Sequence, residues 1–492
     1  MRSRFLLLLL LAVFCRPLVS IAATYEVNQR CEDAMNMVMA LRFDEAKKII
    51  AAERKANPGN LFPYYIENTM DIISIYISEE EARFDELEPH KDIYLSKLKS
   101  GDASSPYYLY LQAEVNIQWA FARLKFEEYL NAFNEIKRAY GMLKDNDEDF
   151  PDFLPNQKSL GMLHCLFGAI PDQYKWGANI LGLSGDIDAG LKEMRSFLDK
   201  PGDFPQIFVQ ETTLYYAFLV LYLQKDYNKA WNIVKDLDTR NNMLFCFCKA
   251  SVALRTGRCD AAISTLQSRP TGNNYFPFPF MDFMLGLAKT RRLDSDANRY
   301  FESFLVQFKG KNYIKEAYQK MGWNALIAGD MSRYKFYMER VKLYGDAVID
   351  DDKQALLEAE SGIPPNVTLL KARLLFDGGY YKTAIGQLEG LSTDNFKSDK
   401  DKTEFTYRAG RIYHESGNPE KAKGFYAATI KNGGKLPYYY AASAALQLGL
   451  IYEHEGNKEK AAYYYNACLN MPNKEYETSL DSQAKAGLNR IK

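Results

Sequence analysis

Histidine, cysteine and long apolar stretches are scarce in this chain of 492 residues, and each shortage argues against a class of protein. Only 4 histidines are present and no His-Glu-x-x-His occurs, so the signature of a zinc metalloprotease is missing. The 7 cysteines are too few to build the fold on disulfides. Beyond residue 23 no run is apolar enough to span a bilayer. The net charge of -1, without a basic stripe, argues against nucleic-acid binding.

Other catalytic signatures are missing as well. Neither a Gly-x-x-x-x-Gly-Lys phosphate loop nor a Gly-x-Ser-x-Gly nucleophile elbow occurs. Cys246, Cys248 and Cys259 form the one cysteine cluster, but their spacing suits neither a zinc site nor a disulfide, and we expect buried free thiols. His164 lies in an apolar stretch and is expected to pack rather than act as a base. We therefore predict no catalytic residue, no metal site and no cofactor.

The first 23 residues have the layout of a secretory signal peptide. Arg2 and Arg4 precede the apolar run 5–14, and Ser20-Ile21-Ala22 offers small residues for cleavage. We predict an exported protein, periplasmic or secreted and possibly associated with the outer membrane, with a bacterial cell envelope as the expected setting. An uncleaved anchor and lipidation of Cys15 remain alternatives, although Phe14 before that cysteine is unsuited to lipidation.

Internal repetition is the strongest pattern in the rest of the chain. The segments 409–426 and 448–465 read AGRIYHESGNPEKAKGFY and LGLIYEHEGNKEKAAYYY, with nine of eighteen positions identical at an offset of 39. Gly410 and Gly449 allow close approach of two helices, and Gly417-Asn418 and Gly456-Asn457 fit the tight turn between them. Apolar residues then recur at the spacing of an amphipathic helix. Each segment is therefore predicted to be a helical hairpin.

This helix–turn–helix pattern resembles the tetratricopeptide repeat, and weaker copies occur upstream, as at Gly378-Gly379-Tyr380 before Ala384. The resemblance implies an all-α fold, a right-handed alpha-alpha superhelix built as a solenoid of helical hairpins. We divide the chain into a signal peptide (1–23), an N-terminal helical repeat region (24–240), degenerate repeats (241–360) and C-terminal repeats (361–492).

The segment 160–191 departs from the plain repeat. It contains Pro171 after an apolar helix, then Gly182, Gly185 and Asp186 in a Gly-x-x-Gly-Asp turn, then Gly190-Leu191. In these features it resembles the tetratricopeptide repeat domain 39 and inclusion-body-clearance family. The resemblance implies all-α repeats without known catalytic machinery; that family is largely intracellular, so its cellular role is not carried over. From the residues themselves, Asp186 is placed to cap the following helix.

Tyrosine is unusually abundant in this chain, with 35 residues. Three adjacent helical residues cannot all be buried, because each is rotated about 100° from the last. Two tyrosine triplets occur, at 438–440 and 463–465. We therefore expect at least one residue of each triplet to face solvent or a groove. The predicted partner-binding residues are Tyr438, Tyr439, Tyr440, Tyr463, Tyr407 and Arg411. Packing between helices is the competing interpretation. The aromatic segment 274–280 could likewise pack against the protein or form an exposed docking strip, and we expect it to pack over a repeat edge.

Stacked hairpins leave a concave groove lined mainly by their first helices, and such grooves bind peptides or proteins. We predict a non-catalytic scaffold that holds a protein or peptide partner in the cell envelope, with no nucleic acid and no transmembrane span. The oligomeric state stays open. The alternative is a carbohydrate-binding repeat protein at the outer membrane, since tyrosine also stacks on sugars.

Overall fold

The computed structural model describes residues 23–170, 182–200, 204–473 and 475–491. Two compact units emerge, one formed by Met1–Phe245 with Pro270–Pro277, the other by Cys246–Arg269 with Phe278–Lys492. They are called unit 1 and unit 2. Residues 1–22 of the predicted signal peptide and the stretch 171–181, with Pro171, lie outside the described residues. The division of the sequence into three repeat regions stays a prediction.

Unit 1 is built from helices joined by short turns. They are α1 Gln29–Met39, α2 Phe43–Ala56, α3 Phe62–Ser78, α4 Glu81–Leu87, α5 His90–Leu98, α6 Tyr107–Lys125, α7 Tyr129–Asp149, α8 Pro155–Gly168, α9 Ile187–Leu198, α10 Gln206–Leu219 and α11 Tyr227–Val234. A π-helical turn, Val220–Gln224, extends α10.

Unit 2 continues the same pattern from Cys246 in α12 onward. Its helices are α12 Met243–Arg255, α13 Cys259–Gln267, α14 Phe280–Arg292, α15 Asn298–Gln307, α16 Ile314–Ile327, α17 Met331–Leu343, α18 Asp350–Ser361, α19 Val367–Asp377, α20 Tyr381–Leu388, α21 Asp399–Glu415, α22 Pro419–Gly433, α23 Tyr440–His454, α24 Lys458–Leu469 and α25 Glu477–Arg490.

The predicted all-α fold class is confirmed: in the described residues each unit is built from helical hairpins. Consecutive helices pack as pairs, among them α6 with α7, α21 with α22 and α23 with α24. In the described ranges the one pairing of β type is an isolated bridge between Thr24 and Asn60. None of the described helices combines the length and apolar character that crossing a membrane requires.

The turn inside each C-terminal hairpin is formed by a glycine followed by an asparagine. Gly417 and Gly456 have φ of +77° and +75°, a left-handed conformation that is cheap for glycine. The next residue then caps the second helix, because the side chains of Asn418 and Asn457 accept from the backbone N–H three residues on. The predicted turns are confirmed, and the asparagines add a capping role that the repeat pattern alone did not assign.

The two helices of each C-terminal hairpin meet where a glycine faces a tyrosine ring. A Cβ added at Gly410 would lie 2.7 Å from the Tyr426 ring, and one added at Gly449 would lie 2.5 Å from the Tyr465 ring. Both tyrosines have 0% exposure. The predicted close approach at these glycines is therefore confirmed, and it buries one large aromatic side chain in each hairpin.

Glycines also explain the described part of the atypical segment 160–191. A Cβ at Gly185 would lie 2.2 Å from the His164 carbonyl oxygen, and one at Gly190 would lie 2.3 Å from that of Gly161. Helices α8 and α9 therefore pack backbone against backbone. Asp186 accepts from the Ala189 N–H at 2.9 Å, which confirms the predicted cap. His164 is only half-buried and contacts Glu193, with Nδ1 and Oε2 2.7 Å apart.

The aromatic segment 274–280 packs rather than standing free, as predicted. In unit 1 the Phe276 N–H donates to the Leu41 carbonyl at 2.7 Å, and its ring lies 4.9 Å from that of Phe43. In unit 2 the Phe278 ring lies 5.2 Å from that of Phe247.

The inner faces of α3, α6, α8 and α10 converge on a buried polar centre in unit 1. Lys158 Nζ lies 2.5 Å from Glu114 Oε2 and 2.9 Å from Glu211 Oε2, and Tyr65 Oη donates to Glu211 at 3.2 Å. The side chains of Lys158, Glu114 and Glu211 are 0%, 3% and 5% exposed. The space between these four helices is therefore occupied by side chains of the unit itself, which form buried ion pairs.

The charge balance of this centre is reflected in its pKa values. Burial alone would lower the pKa of Lys158, but the carboxylates of Glu114 and Glu211 outweigh it and hold that pKa well above its ordinary value. Burial raises the pKa of Glu211, and Lys158 only partly opposes this. Lys158 is thus the cation that makes two buried carboxylates tolerable.

Two hairpin turns far apart in sequence meet in unit 2. Gly379, with φ of +84°, lies against Gly257, so that an added Cβ would sit 1.8 Å from the Gly257 carbonyl oxygen. Tyr380 Oη donates to Asp260 Oδ1 at 2.8 Å beside this contact. The hairpin of α12 and α13 therefore packs on that of α19 and α20, although more than 80 residues of sequence lie between them.

Gly379→Ala should destabilise unit 2 by about 2 kcal/mol or more beyond the cost of a left-handed alanine, because the new methyl group overlaps the Gly257 carbonyl. Gly417→Ala is the matched control: its φ is also positive, but an added Cβ meets nothing within 4 Å. Urea unfolding followed by circular dichroism compares the two. Equal losses would mean that the turns do not touch as described.

Lys158→Met should cost about 3–5 kcal/mol, since it leaves Glu114 and Glu211 buried without a cation. In the variant, burial holds the pKa of Glu211 above its unfolded value with no lysine to oppose it, so the penalty is full at high pH and shrinks as pH falls through that raised pKa. Urea unfolding at pH 8 and pH 5.5 tests this sign. The triple variant with Glu114→Gln and Glu211→Gln should recover stability and lose the pH dependence; a pH-independent penalty in the single variant would contradict the account.

Candidate functional site

The first helices of the C-terminal hairpins, α19, α21 and α23, pack side by side and carry a continuous set of arginines and tyrosines. We call this set the arginine–tyrosine face; its members are Arg373, Glu404, Tyr407, Arg408, Arg411, Tyr439, Tyr440 and Ser443. Tyr439 is the residue just before α23, and the others lie within the three helices. Helical periodicity brings them to one side: residues 404, 407, 408 and 411 are three or four positions apart.

Tyr407 is the centre of this face. Its hydroxyl lies 2.9 Å from Ser443 Oγ on the neighbouring helix, and Arg411 Nη1 donates to it at 3.2 Å. Its ring lies 5.7 Å from that of Tyr439 and 5.5 Å from that of Tyr440. Only 2% of Tyr407 is exposed. The residue therefore ties α21 to α23 and fixes the orientation of Arg411.

The electrostatics around Tyr407 are dominated by cations. Burial would raise the pKa of its hydroxyl, but the guanidinium groups of Arg411 and Arg408 outweigh burial and leave the pKa of Tyr407 below its ordinary value. A phenol with a lowered pKa shows that the potential at this point of the face is positive. An anion placed here would be stabilised in the same way.

Arg408 is the arginine of this face whose charge is matched within the protein. Its Nε and Nη2 lie 3.1 Å and 2.9 Å from Glu404 Oε1, and Nη2 also donates to Tyr439 Oη at 3.3 Å. The side chains of Arg408 and Glu404 are 8% and 13% exposed. This pair is a buried structural ion pair and is unavailable to a ligand.

All three arginines lie over aromatic rings, but Arg373 and Arg411 lack the close carboxylate partner that Arg408 has in Glu404. Arg373 Cζ is 5.1 Å from the centre of the Trp323 ring, and Arg411 Cζ is 4.9 Å from that of Phe376. The Arg373 side chain is 38% exposed, and Nε is 3.8 Å from Asp377 Oδ2. Arg411 is partly exposed, and no described carboxylate lies within ion-pair distance of it. Arg373 is therefore held by one long ion pair, and Arg411 is the arginine of the face without an ion-pair partner among the described residues.

The predicted partner-binding residues divide into two groups. Tyr407, Arg411, Tyr439 and Tyr440 lie together, and Tyr438 joins them through its ring, 6.3 Å from that of Tyr440. Tyr463 does not join them: it lies on α24, 68% exposed, with Tyr464 as its ring neighbour at 5.0 Å. The expected exposure of at least one residue in the triplet 463–465 is confirmed at Tyr463.

Sequence reasoning missed Arg373, Arg408, Glu404 and Ser443. One signal could have found Arg373: the interval of 38 residues that separates Ala384 from Ala422 also separates Arg373 from Arg411. The two arginines therefore occupy equivalent positions in successive hairpins. The role of Ser443 had no signal, because it depends on how α21 and α23 pack.

The described residues offer little else for chemistry. No group of three histidine, cysteine or acidic side chains in these ranges is arranged to hold a metal ion. Cys246 and Cys248 are buried free thiols, as predicted, and burial raises the pKa of each to about 12. Thiols protonated at neutral pH are poor nucleophiles. A partly open pocket of about 170 Å³, lined by Leu388, Phe405 and Phe425 among others, lies between α20, α21 and α22.

Comparisons with known proteins identify no family for this chain. No family model matches the chain, and no curated protein matches it. Among solved structures, the crystal structure of the APC/C hetero-tetramer Cut9-Hcn1 aligns over 94% of this chain and 96% of that chain, with 13% identity and a TM-score of 0.22. An alignment with so low a TM-score carries no argument, so the assignment of helical hairpins depends on the chain's own geometry. The resemblance of segment 160–191 to the tetratricopeptide repeat domain 39 family finds no support in these comparisons.

Tyr407→Phe should destabilise unit 2 by about 1–2 kcal/mol, because it leaves Ser443 and Arg411 without the hydroxyl they contact. Adding Ser443→Ala should cost little more, since the partner hydroxyl is then also removed, and a double-mutant cycle by urea unfolding would measure this coupling. Tyr463→Phe, on an exposed ring, is the control and should change nothing. Additive losses from the two substitutions would argue against the link between α21 and α23.

Proposed function

We propose that this protein is an exported, non-catalytic scaffold that binds a protein partner on the arginine–tyrosine face of its C-terminal hairpins. The observation that carries the proposal is the pair Arg373 and Arg411, two partly exposed cations backed by aromatic rings on neighbouring first helices. Arginine and tyrosine are the side chains that most often dominate protein interfaces, since each combines apolar area with directed hydrogen bonds.

The contrast between the two units supports this location. In unit 1 the inner residues of α3, α6, α8 and α10 are buried and pair with one another through Lys158. In unit 2 the corresponding side of the first helices keeps Arg411 and Tyr439 partly exposed. A groove that is occupied by its own side chains has nothing to offer a partner, so binding is assigned to the C-terminal hairpins.

Export is supported by the layout of the N-terminal sequence, where Arg2 and Arg4 precede an apolar run and small residues follow. The absence of a recognisable catalytic group in the sequence supports binding rather than chemistry. The partner is therefore expected in the cell envelope or outside the cell.

A photo-crosslinking amino acid placed at Tyr439 tests the proposal in intact cells. We expect one envelope or secreted protein to be captured from position 439, because this residue is at the edge of the proposed face. The same amino acid at Tyr463, which is exposed on α24, is the matched control and should capture nothing reproducibly. Capture of the same proteins from both positions, or from neither, would count against a partner on this face.

A further inference from the structure

We propose that unit 1 carries a binding site for a peptide segment in which an aromatic residue precedes a proline, and that the chain itself occupies this site with Pro270–Pro277. We call that segment the strap. The site is formed by the turn between α1 and α2 together with α4, and its ligand is a segment of another protein with the same aromatic–proline chemistry. It is separate from the arginine–tyrosine face, so the inference goes beyond the proposed function.

The contacts of the strap with the helices of unit 1 centre on Phe276. Its N–H donates to the Leu41 carbonyl oxygen at 2.7 Å, and its ring lies 4.9 Å from that of Phe43. The guanidinium of Arg83 on α4 lies over the same ring, with Cζ 5.4 Å from the ring centre. A backbone hydrogen bond that sets the direction of the chain, and a side chain that meets a ring and a cation, are contacts by which proteins bind peptides.

The residues that precede this phenylalanine contribute less. Residues 271–274 are exposed, and Asn274 Nδ2 donates to Glu45 only at 3.5 Å. The Tyr275 N–H donates within the strap itself, to the Gly272 carbonyl at 3.3 Å. A competing segment therefore has to replace little more than the contacts of one aromatic residue.

The binding site is positioned by the core of unit 1. Helix α1 packs against α2, and Leu41, Ala46 and Ile50 are buried in the hairpin that the two helices form. The turn that presents the Leu41 carbonyl and the ring of Phe43 is therefore held by the hairpin's own packing. The same turn stays available to another segment when the strap leaves.

The proline of the strap defines the chemistry of the ligand. A residue before proline is restricted to extended conformations, so Phe276 is prepared for binding by Pro277. Less conformational freedom is then lost when the segment binds. The site therefore favours an aromatic–proline pair over an aromatic residue in a flexible segment.

The strap occupies the site because it belongs to the same chain. A tethered ligand has a local concentration on the order of millimolar, which is enough to fill a site that binds the free segment weakly. A segment of a partner has to compete with this local concentration. The strap is therefore an autoinhibitory contact that excludes weak ligands and admits strong ones.

The test uses the full mature chain and a fluorescein-labelled peptide of residues 270–277 as the probe. Fluorescence anisotropy measures binding of the peptide to the wild type and to Phe276→Ser. We expect the variant to bind the peptide about 10-fold more tightly, because its own strap no longer competes. A control peptide that itself carries Phe276→Ser should bind neither protein.

Further variants of the protein assign the effect to this site. Phe276→Leu keeps an apolar side chain in the strap and is the second release variant if serine impairs folding, which circular dichroism checks. Asn273→Ser, at an exposed position of the strap, is the matched control and should bind the peptide as weakly as the wild type. Arg83→Gln added to Phe276→Ser should weaken the peptide about 3-fold or more, because the cation over the aromatic ring is lost.

Several outcomes would overturn the inference. They are equal binding of the peptide to the wild type and to the release variants, no binding to either folded release variant, and binding that Arg83→Gln does not change. A wild-type dimer in light scattering that Phe276→Ser converts to a monomer would assign the site to the strap of a second copy, which also overturns it. Capture of a partner from Tyr439 concerns the arginine–tyrosine face alone, so failure of one proposal is distinguishable from failure of the other.

Discussion

The compensation of charge on the inward side of the first helices governs this structure. A charge removed from water costs several kcal/mol unless an opposite charge and hydrogen bonds replace the solvent. In unit 1, Lys158 meets this condition for two carboxylates by pairing with both Glu114 and Glu211. Unit 2 meets it at Arg408, through Glu404, and does not meet it at Arg411. The polar centre of unit 1 is buried with its own ion pairs, whereas Arg411 and Tyr439 stay partly exposed on the face that we propose for binding.

Helix packing around these charges depends on small residues at defined points. Gly410 and Gly449 accept the rings of Tyr426 and Tyr465, so that the second helix of each hairpin sits close to the first. This closeness fixes the spacing of successive first helices, and with it the positions of Tyr407 and Ser443, which are 2.9 Å apart. Tyr407, Tyr426 and Tyr440 belong to one core cluster, so the packing within the hairpin and the geometry of the arginine–tyrosine face are linked.

Local features of the C-terminal hairpins could be predicted because neighbours in sequence make them. The left-handed Gly417 and Gly456, the glycine–tyrosine contacts and the Asp186 cap all involve residues within about one hairpin. The candidate site was only half predicted. Tyr407, Arg411, Tyr439 and Tyr440 stood out through the wealth of tyrosine and the choice of first helices, whereas Arg408 and Glu404 looked like ordinary surface charges of an amphipathic helix until packing buried them.

By itself the sequence determined that this is an all-α chain of helical hairpins, because helical periodicity and turn chemistry are written in short segments. It also fixed where the glycines permit close contact. Only the tertiary structure decided that Gly379 meets Gly257, that Lys158 is enclosed by two carboxylates and that Arg373 lies over Trp323. Such contacts join residues from separate hairpins, and no local pattern encodes them. They arise from how whole helices fit, which is why the full arginine–tyrosine face emerged from the packing and not from the repeat.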